Sequence, residues 1–235
     1  MANVCVIVGV GPALGSALAR RFAEGYAIGL IARGAEPSGA LAREIESRGG
    51  RAISAQADVS RPAEVEAAFA RIRAELGPPR ILIFNAAMRP FGRLMETPFE
   101  AFEQTWRTNA GGFFLSSQQA VPDMLATGIG VILATGATSG VKPFPTSAAF
   151  GPAEFALRGL VQVMARDLGP KGIHVAYINI DGPIDNERTR ERRSELTDED
   201  TLKPAAIAET YWHLAHQDPS AWSNEIDVRP FKEKF

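Results

Sequence analysis

The chain has 235 residues, of which 46% are hydrophobic, and its formal net charge is −2. This length suits one large α/β domain and is short for two. The small net charge gives no electrostatic reason to expect a nucleic acid or an anionic membrane as partner. No stretch approaches the ~20 apolar residues that cross a bilayer, so we expect neither a membrane span nor a membrane partner.

The cysteine content and the N-terminus both bear on the cellular compartment. Cys5 is the one cysteine and cannot form an internal disulfide, which fits a reducing environment. It lies in an apolar run, where a small core residue is a better interpretation than a nucleophile. Residues 1–4 enter a strand pattern without the basic region of an export signal. We therefore expect a cytoplasmic protein.

Short apolar runs alternate with longer amphipathic stretches along the chain. The runs are rich in Val, Ile and Leu, as are strands buried on both faces of a parallel sheet. Strands are predicted at residues 4–8, 27–32, 51–57, 81–84, 131–134 and 174–180, and helices at 13–24, 37–48, 62–76, 98–125 and 148–168.

This alternation predicts a doubly wound parallel sheet in a single Rossmann-type α/β domain that spans residues 1–235. The domain would have three layers, α/β/α, and ligands would bind at the carboxyl ends of the strands. Residues 185–203 differ from the rest because they are densely charged and poor in apolar side chains. One interpretation is a mobile lid over the site, and the other is a solvated surface helix without a role.

A glycine-rich turn follows the first strand and leads directly into a helical pattern. A strand, a tight turn and a helix N-terminus place backbone amides and a positive dipole end where a pyrophosphate binds. Glycine permits the left-handed turn and the close approach of a ligand, whereas proline removes one amide donor. The alternative is a tight turn without a ligand. The candidate cofactor-binding residues here are Gly9, Gly11, Pro12, Ala13, Leu14 and Gly15.

Arg33 stands at the end of the second strand, 24 residues beyond Gly9. An acidic residue there would bind the ribose 2′-hydroxyl of NAD, whereas an arginine accommodates the 2′-phosphate of NADP. Arg33 therefore favours NADP(H) over NAD(H). The alternative is an arginine that is merely exposed at a strand end.

The turn resembles the T-G-x-x-x-G-x-G motif of the short-chain dehydrogenase/reductase family, with Val8 at the threonine and Ala13 at the middle glycine. The likeness extends over roughly residues 3–231 and implies a last strand at residues 225–231. It implies further cofactor contacts, although Asn85 could instead satisfy a turn. These contacts are Asp58 and Val59 beside the adenine, Asn85, Ala86 and Ala87 along the cofactor, and Asp181, Gly182 and Ile184 near the nicotinamide.

The family's carbonyl chemistry uses an asparagine, a serine, a tyrosine and a lysine, the last two spaced Y-x-x-x-K on one helical face. The phenol exchanges the proton, the ammonium lowers the phenol's pKa, and the serine polarises the carbonyl. In this register Ala137 stands at the serine position, Phe150 at the tyrosine and Glu154 at the lysine. The asparagine remains, as Asn109.

This register predicts that the usual acid–base step is missing. Glu154, beside Phe150 and Phe155, could act as the acid–base group if burial raises its pKa, with Ser139 or Thr138 supplying a hydroxyl. The better interpretation is that Glu154 is structural or binds ribose hydroxyls and that Ser139 is a turn residue. No other register restores the motif, because none of Tyr26, Tyr177 and Tyr211 is followed four residues later by lysine.

Three functions therefore remain open. The first is an NADP(H)-dependent oxidoreductase of a small carbonyl compound or alcohol, with divergent chemistry. The second is a nucleotide-binding sensor or assembly subunit without hydride transfer. The third is a lyase or isomerase that uses Glu154 or Asp181 as a base, with no cofactor required. Residues 98–125 and 148–168 resemble the helices that pair subunits in this family, which implies a homodimer or homotetramer. We predict no metal site, and the sequence does not specify the substrate.

Overall fold

The computed structural model describes residues 3–233. Within this range one sheet of seven parallel strands has the order β3-β2-β1-β4-β5-β6-β7. The order reverses between β1 and β4, which creates the crevice where such sheets bind ligands. The strands are β1 (Val4–Val8), β2 (Ala27–Ala32), β3 (Ala52–Gln56), β4 (Pro79–Phe84), β5 (Gly130–Ala137), β6 (Ile173–Ile180) and β7 (Glu225–Val228).

Helices cover both faces of the sheet, so the predicted single Rossmann-type domain is confirmed. α3, α5 and α6 pack on one face through residues such as Phe69, Phe113 and Leu157. α1, α2 and α8 pack on the other through Leu18 and Ile45, among others. The helices are α1 (Leu14–Phe22), α2 (Ala35–Ser47), α3 (Pro62–Glu75), α4 (Phe99–Trp106), α5 (Gly112–Thr127), α6 (Phe150–Leu168), α7 (Glu187–Arg192) and α8 (Pro204–Ala215).

The central strands are buried on both faces, which explains their continuous apolar runs. All five residues of β1 and all eight of β6 are buried. Cys5 is fully buried in β1, which confirms its interpretation as a core residue. The first two residues of the predicted leaderless N-terminus lie outside the described range.

Two helical features differ from the sequence prediction. The predicted helix 98–125 is divided by a π-helical segment, Arg107–Gly111, which lies between α4 and α5 and carries Asn109. Such π-helical turns are rare and occur often at functional sites. α8 was not predicted at all, although it begins with proline and buries Ile207 and Tyr211 against the sheet.

Residues 185–203 include the short helix α7 and form a segment that is closed at its base. The Leu202 amide donates to the Pro183 carbonyl at 2.8 Å, and the Asp185 amide donates to the Leu202 carbonyl at 2.8 Å. Arg190 then pairs with Asp185 at 2.7 Å and with Asp198 at 2.6 Å. The segment is thus tied to itself, and its role as a lid stays a prediction. In the part of the chain that the structure describes, no helix combines the length and apolarity needed to cross a bilayer.

Candidate functional site

The glycine-rich turn is fixed against the segment that follows β4. Gly9 has a φ of +90°, and a Cβ at this position would overlap the backbone of Ala86. The Asn85 side-chain amide donates to the Gly9 carbonyl at 2.8 Å. Glycine is therefore required at residue 9 both by its conformation and by this close approach, and Asn85 holds the turn in place.

The turn presents an open helix N-terminus to the carboxyl edge of the sheet. α1 begins at Leu14, and no side chain caps its first amides. A Cβ at Gly11 would meet no atom within 4 Å, whereas a Cβ at Gly15 would lie 2.9 Å from the Gly9 carbonyl oxygen. Pro12 is exposed and contributes no amide. Uncapped amides and a positive dipole end beside free space fit a pyrophosphate group.

Arg33 and Asp58 share the edge beyond this turn. Arg33 is exposed at the end of β2, where its carbonyl accepts a hydrogen bond from Gln56 at 2.9 Å. Burial opposes the ionisation of Asp58, but hydrogen bonds from Ser60 and the charges of Arg61 and Arg33 outweigh burial and lower its pKa. The two predicted adenosine-end residues thus lie within electrostatic reach of each other. Val59 is buried, and Ala87 is exposed.

Asp181, after β6, is fully buried and turned inward. Its Oδ2 lies 3.3 Å from Lys142 Nζ and 3.6 Å from Arg229 Nε. Two cations therefore surround this carboxylate, which fits a structural role and weakens its interpretation as a base. The next residue, Gly182, has a φ of +148°, and Ile184 bridges to the base of the 185–203 segment.

Asn109 and Glu154 meet below the carboxyl edge. Asn109 is fully buried, and its Nδ2 donates to Glu154 Oε1 at 2.8 Å. The Asn109 Oδ1 accepts the Met88 amide at 2.8 Å, and its Nδ2 also donates to the Met88 carbonyl at 3.3 Å. Asn109 therefore ties the catalytic-position glutamate on α6 to the segment after β4.

Glu154 is a buried carboxyl that titrates near neutral pH. It is 2% exposed, and its Oε2 has no hydrogen-bond partner among the described residues. Burial raises its pKa to about 7, although the hydrogen bond from Asn109 and the charge of Arg89 oppose this. Phe150 lies one turn earlier on the same buried face of α6. Phe155 was expected beside this carboxyl, but its side chain is 46% exposed and faces away from the core.

Tyr177, on β6, lies close to Glu154 and to the turn after β5. The Tyr177 hydroxyl accepts a hydrogen bond from the Ala137 amide at 3.3 Å. A Cβ on Gly136 or Gly140 would overlap this phenol, and a Cβ on Gly140 would lie 3.3 Å from the Cβ of Glu154. Burial, together with the charge of Glu154, raises the pKa of Tyr177. The sequence search missed this neighbour because Tyr177 comes from β6 and not from α6.

The remaining hydroxyl candidates lie on the turn after β5. Ser139 is buried in the 3₁₀ turn Thr138–Gly140, which packs against α6, and Thr138 is half-buried. No contact between either hydroxyl and Glu154 is present in the described range. The interpretation of Ser139 as a turn residue therefore agrees with its position.

Arg89 is a site residue that the sequence analysis missed. Its guanidinium lies 4.9 Å from the ring centroid of Phe91 and 5.7 Å from that of Phe150. Arg89 is exposed at the surface, but partial desolvation lowers its pKa, and the negative charge of Glu154 opposes this shift. The only signal in the sequence is a basic residue shortly after a strand end.

A separate cleft does not include this cluster. It has a volume of about 780 Å³ between α1, α8 and residues 185–188, and it meets the glycine-rich turn at Pro12 and Ala13. Neither Phe150 nor Glu154 lines it. The structure therefore brings together Gly9 with Asn85, and Asn109 with Glu154. The cleft is not part of the cluster around Glu154.

Comparisons with known proteins identify the family of this chain. A family model described as short chain dehydrogenase matches residues 3–197. The crystal structure of a short-chain dehydrogenase from Rhodopseudomonas palustris is 33% identical, with a TM-score of 0.85, and 97% of this chain and 99% of that one are covered. A metagenomic short-chain oxidoreductase in complex with NADP is 26% identical, with a TM-score of 0.84, and 97% and 96% are covered.

A further relative is a longer protein. The glycine betaine reductase of Emericella nidulans is 25% identical over 98% of this chain, which spans 19% of that protein's length. Its activity as a whole protein therefore says little about this chain.

Proposed function

Because the chain belongs to the short-chain dehydrogenase/reductase family, we propose that it is an NADP(H)-dependent oxidoreductase of a small carbonyl compound or alcohol in which Glu154 exchanges the proton. The observation that carries this proposal is the carboxyl of Glu154. It is buried and fixed through Oε1, its Oε2 is unpaired, and its pKa is about 7. A general acid–base group works best when its pKa lies near the working pH.

The edge from Gly9 to Arg33 would hold the cofactor. The uncapped start of α1 would bind the pyrophosphate, and Arg33 would meet a 2′-phosphate. A related structure was determined with NADP, which supports this assignment. When bound, the nicotinamide would supply or accept the hydride.

The usual proton donor is absent from its family position. Phe150 has no exchangeable proton, and Ala137 offers no hydroxyl to a carbonyl oxygen. Protonated Glu154 would give its proton from Oε2 to the carbonyl oxygen, which becomes the alcohol, and would take it back in the reverse direction. Asn109 holds Oε1, so no existing protein hydrogen bond is broken at Oε2. Since Glu154 is 2% exposed, neighbouring side chains must move before a substrate reaches it.

A second candidate is nucleotide binding without hydride transfer. Its support is the same low exposure of Glu154, together with the apolar side chains of Ala137 and Phe150. In this case the protein would act as a nucleotide sensor or assembly subunit. It would bind NADP(H) and show no turnover with any carbonyl compound or alcohol.

Self-association is part of the proposal. The outer faces of α4, α5 and α6 expose large apolar side chains, a pattern that marks interfaces. We propose a homodimer or homotetramer formed through these faces, to be tested by light scattering coupled to size-exclusion chromatography. These side chains are Phe102, Trp106, Phe114, Phe155 and Val163.

The deciding experiment combines nucleotide titration with turnover. Wild type and Glu154→Gln are titrated with NADP(H) and NAD(H) by calorimetry, then assayed for NADPH oxidation over a panel of small carbonyl compounds. We expect both proteins to bind NADP(H) alike, while Glu154→Gln loses about 100-fold or more of the turnover rate.

Each other outcome supports a different function. Equal turnover by the two proteins removes Glu154 from the chemistry. Nucleotide binding without turnover by wild type supports the sensor. Binding of a small acid or ketone without any nucleotide binding supports a lyase or isomerase.

A further inference from the structure

Arg89 is an exposed residue whose guanidinium lies over two aromatic rings and whose charge acts on Glu154. Its guanidinium packs over Phe91 and Phe150, and Phe150 is one helical turn from Glu154. The neighbouring segment is held in place, because the Gly92 amide donates to the Thr146 carbonyl at 2.8 Å and the Ala148 amide donates to the Gly92 carbonyl at 3.3 Å. The backbone that follows Phe91 is therefore fixed, while the Phe91 ring itself is 63% exposed.

The guanidinium of Arg89 has no hydrogen-bonding protein partner in the described part of the chain. In residues 3–233, Arg89 forms no hydrogen bond and no salt bridge, although its charge acts on Glu154. Arg89 is exposed, whereas two less exposed arginines of this chain are paired, Arg73 with Asp123 and Arg158 with Glu225. An arginine presents its donors as a planar fork that matches a carboxylate or phosphate in a bidentate way. A guanidinium that lies over two aromatic rings, has no hydrogen-bonding protein partner and acts electrostatically on Glu154 points to an anionic group on the ligand.

The surroundings favour a carboxylate over a phosphate. Arg89 is the one cation whose charge acts on Glu154 within the described part of the chain, and a phosphate dianion beside a carboxyl would call for more positive charge. The ring of Phe91, which is 63% exposed, also presents apolar surface to the carbon chain of a ligand.

We propose that Arg89 binds the carboxylate of the substrate, so that the substrate is a small oxo acid or hydroxy acid whose carbonyl or hydroxyl group faces Glu154. This inference rests on the proposed oxidoreductase function in that it treats the bound acid as a substrate. The binding of a carboxylate by Arg89 does not depend on that function. Arg89 would set specificity, while Glu154 would exchange the proton.

The test compares acids with their neutral counterparts in the nucleotide-loaded protein. 2-Oxobutyrate and its methyl ester are titrated by calorimetry into wild type, Arg89→Met and Arg93→Met, each saturated with NADP⁺. Met keeps an unbranched apolar stem but removes the charge. Arg93 is a matched control because it is exposed on the same segment. Thermal melting checks that each variant is folded.

We expect wild type to bind the acid about 30-fold more tightly than Arg89→Met does, the range of a charge-assisted hydrogen-bonded pair. The ester should bind wild type and Arg89→Met within about threefold, and Arg93→Met should match wild type within the same range. With any oxo acid that is turned over, Arg89→Met should raise KM more than it lowers kcat.

The outcomes separate this inference from the proposed function. Arg89-dependent binding of the acid without any turnover supports the inference and removes the oxidoreductase proposal. Turnover of neutral ketones with no effect of Arg89→Met keeps the oxidoreductase and overturns the inference. Equal binding of acid and ester by wild type also overturns it, as does Arg89-dependent binding of inorganic phosphate in place of 2-oxobutyrate.

Discussion

The two ends of the carboxyl edge are built on different principles. At the glycine-rich turn, backbone geometry dictates the residue: Gly9 has a positive φ and lies against the backbone of Ala86. At α6, side-chain chemistry decides: Glu154 is buried, bonded to Asn109 and near its midpoint of ionisation. Because Gly9 tolerates no Cβ, the path of the turn is fixed by its backbone, whereas the chemistry on α6 changes with single side chains on an intact helix.

The largest effect is expected at the turn. Gly9→Ala should destabilise the fold by at least about 4 kcal/mol, because a positive φ and backbone overlap add together. The matched control is Gly11→Ala, where a Cβ meets no atom within 4 Å, so its stability should stay within about 0.5 kcal/mol of wild type. Chemical denaturation measures both. If the two variants were equally stable, backbone geometry would not be the reason for glycine at residue 9.

The pH dependence of the free energy of unfolding tests the burial of Glu154 on α6. The pKa of Glu154 is raised from 4.5 to about 7 in the folded protein, so the folded state binds more protons than the unfolded state between these values. The contribution of this carboxyl is therefore fully present below pH ~4.5 and is lost as the pH rises through ~7, by about 3 kcal/mol in total.

Glu154→Gln should remove this dependence, since it keeps an oxygen for Asn109 and carries no charge. Urea denaturation from pH 4.5 to 8 should show the variant equal to wild type at the acid end and about 3 kcal/mol more stable at pH 8. Asn109, Arg89 and Tyr177 face this carboxyl and are the same in both proteins. Parallel pH curves for the two proteins would show that burial does not control Glu154.

The hydrogen bond between Asn109 and Glu154 should have an intermediate effect. Asn109→Ala leaves Oε1 and the Met88 amide without their partner, which should cost about 2 kcal/mol. The cost should grow above pH 7, because a charged oxygen loses more than a neutral one. The double variant with Glu154→Gln separates the two partners: a coupling energy near zero would mean that Asn109 acts only through Met88.

The fold was predictable wherever burial on both faces leaves a continuous signal. β1 and β2 were predicted with the bounds that the structure has, because such strands read as unbroken apolar runs. α8 was missed because its stability comes from packing against α1, which no local pattern records. The π-helical segment at Asn109 likewise needs coordinates, since one extra residue in a turn leaves no spacing signature.

The positions of Glu154 and Asn109 were predictable from the resemblance to the family's motifs, but their contacts were not. Their hydrogen bond could not be predicted, because the two residues come from different elements. Arg89 comes from the segment after β4 and Tyr177 from β6, and the tertiary fold brings both near Glu154 on α6. Neither residue belongs to a motif in the sequence.

The smallest expected effect returns to the nucleotide end and concerns selectivity. Arg33 is exposed and near Asp58, so Arg33→Ala should leave stability within about 0.5 kcal/mol of wild type. If its guanidinium meets a 2′-phosphate, the variant should lose about tenfold or more in affinity for NADP(H) while NAD(H) changes by less than about twofold, since a charged hydrogen bond contributes about 1.5 kcal/mol or more. Arg61→Ala is the control, because Arg61 also acts on Asp58 but is paired with Glu64. Equal losses for both nucleotides, or an equal loss in the control, would mean that Arg33 contributes general positive charge, and the preference for NADP(H) would then have no basis at this edge.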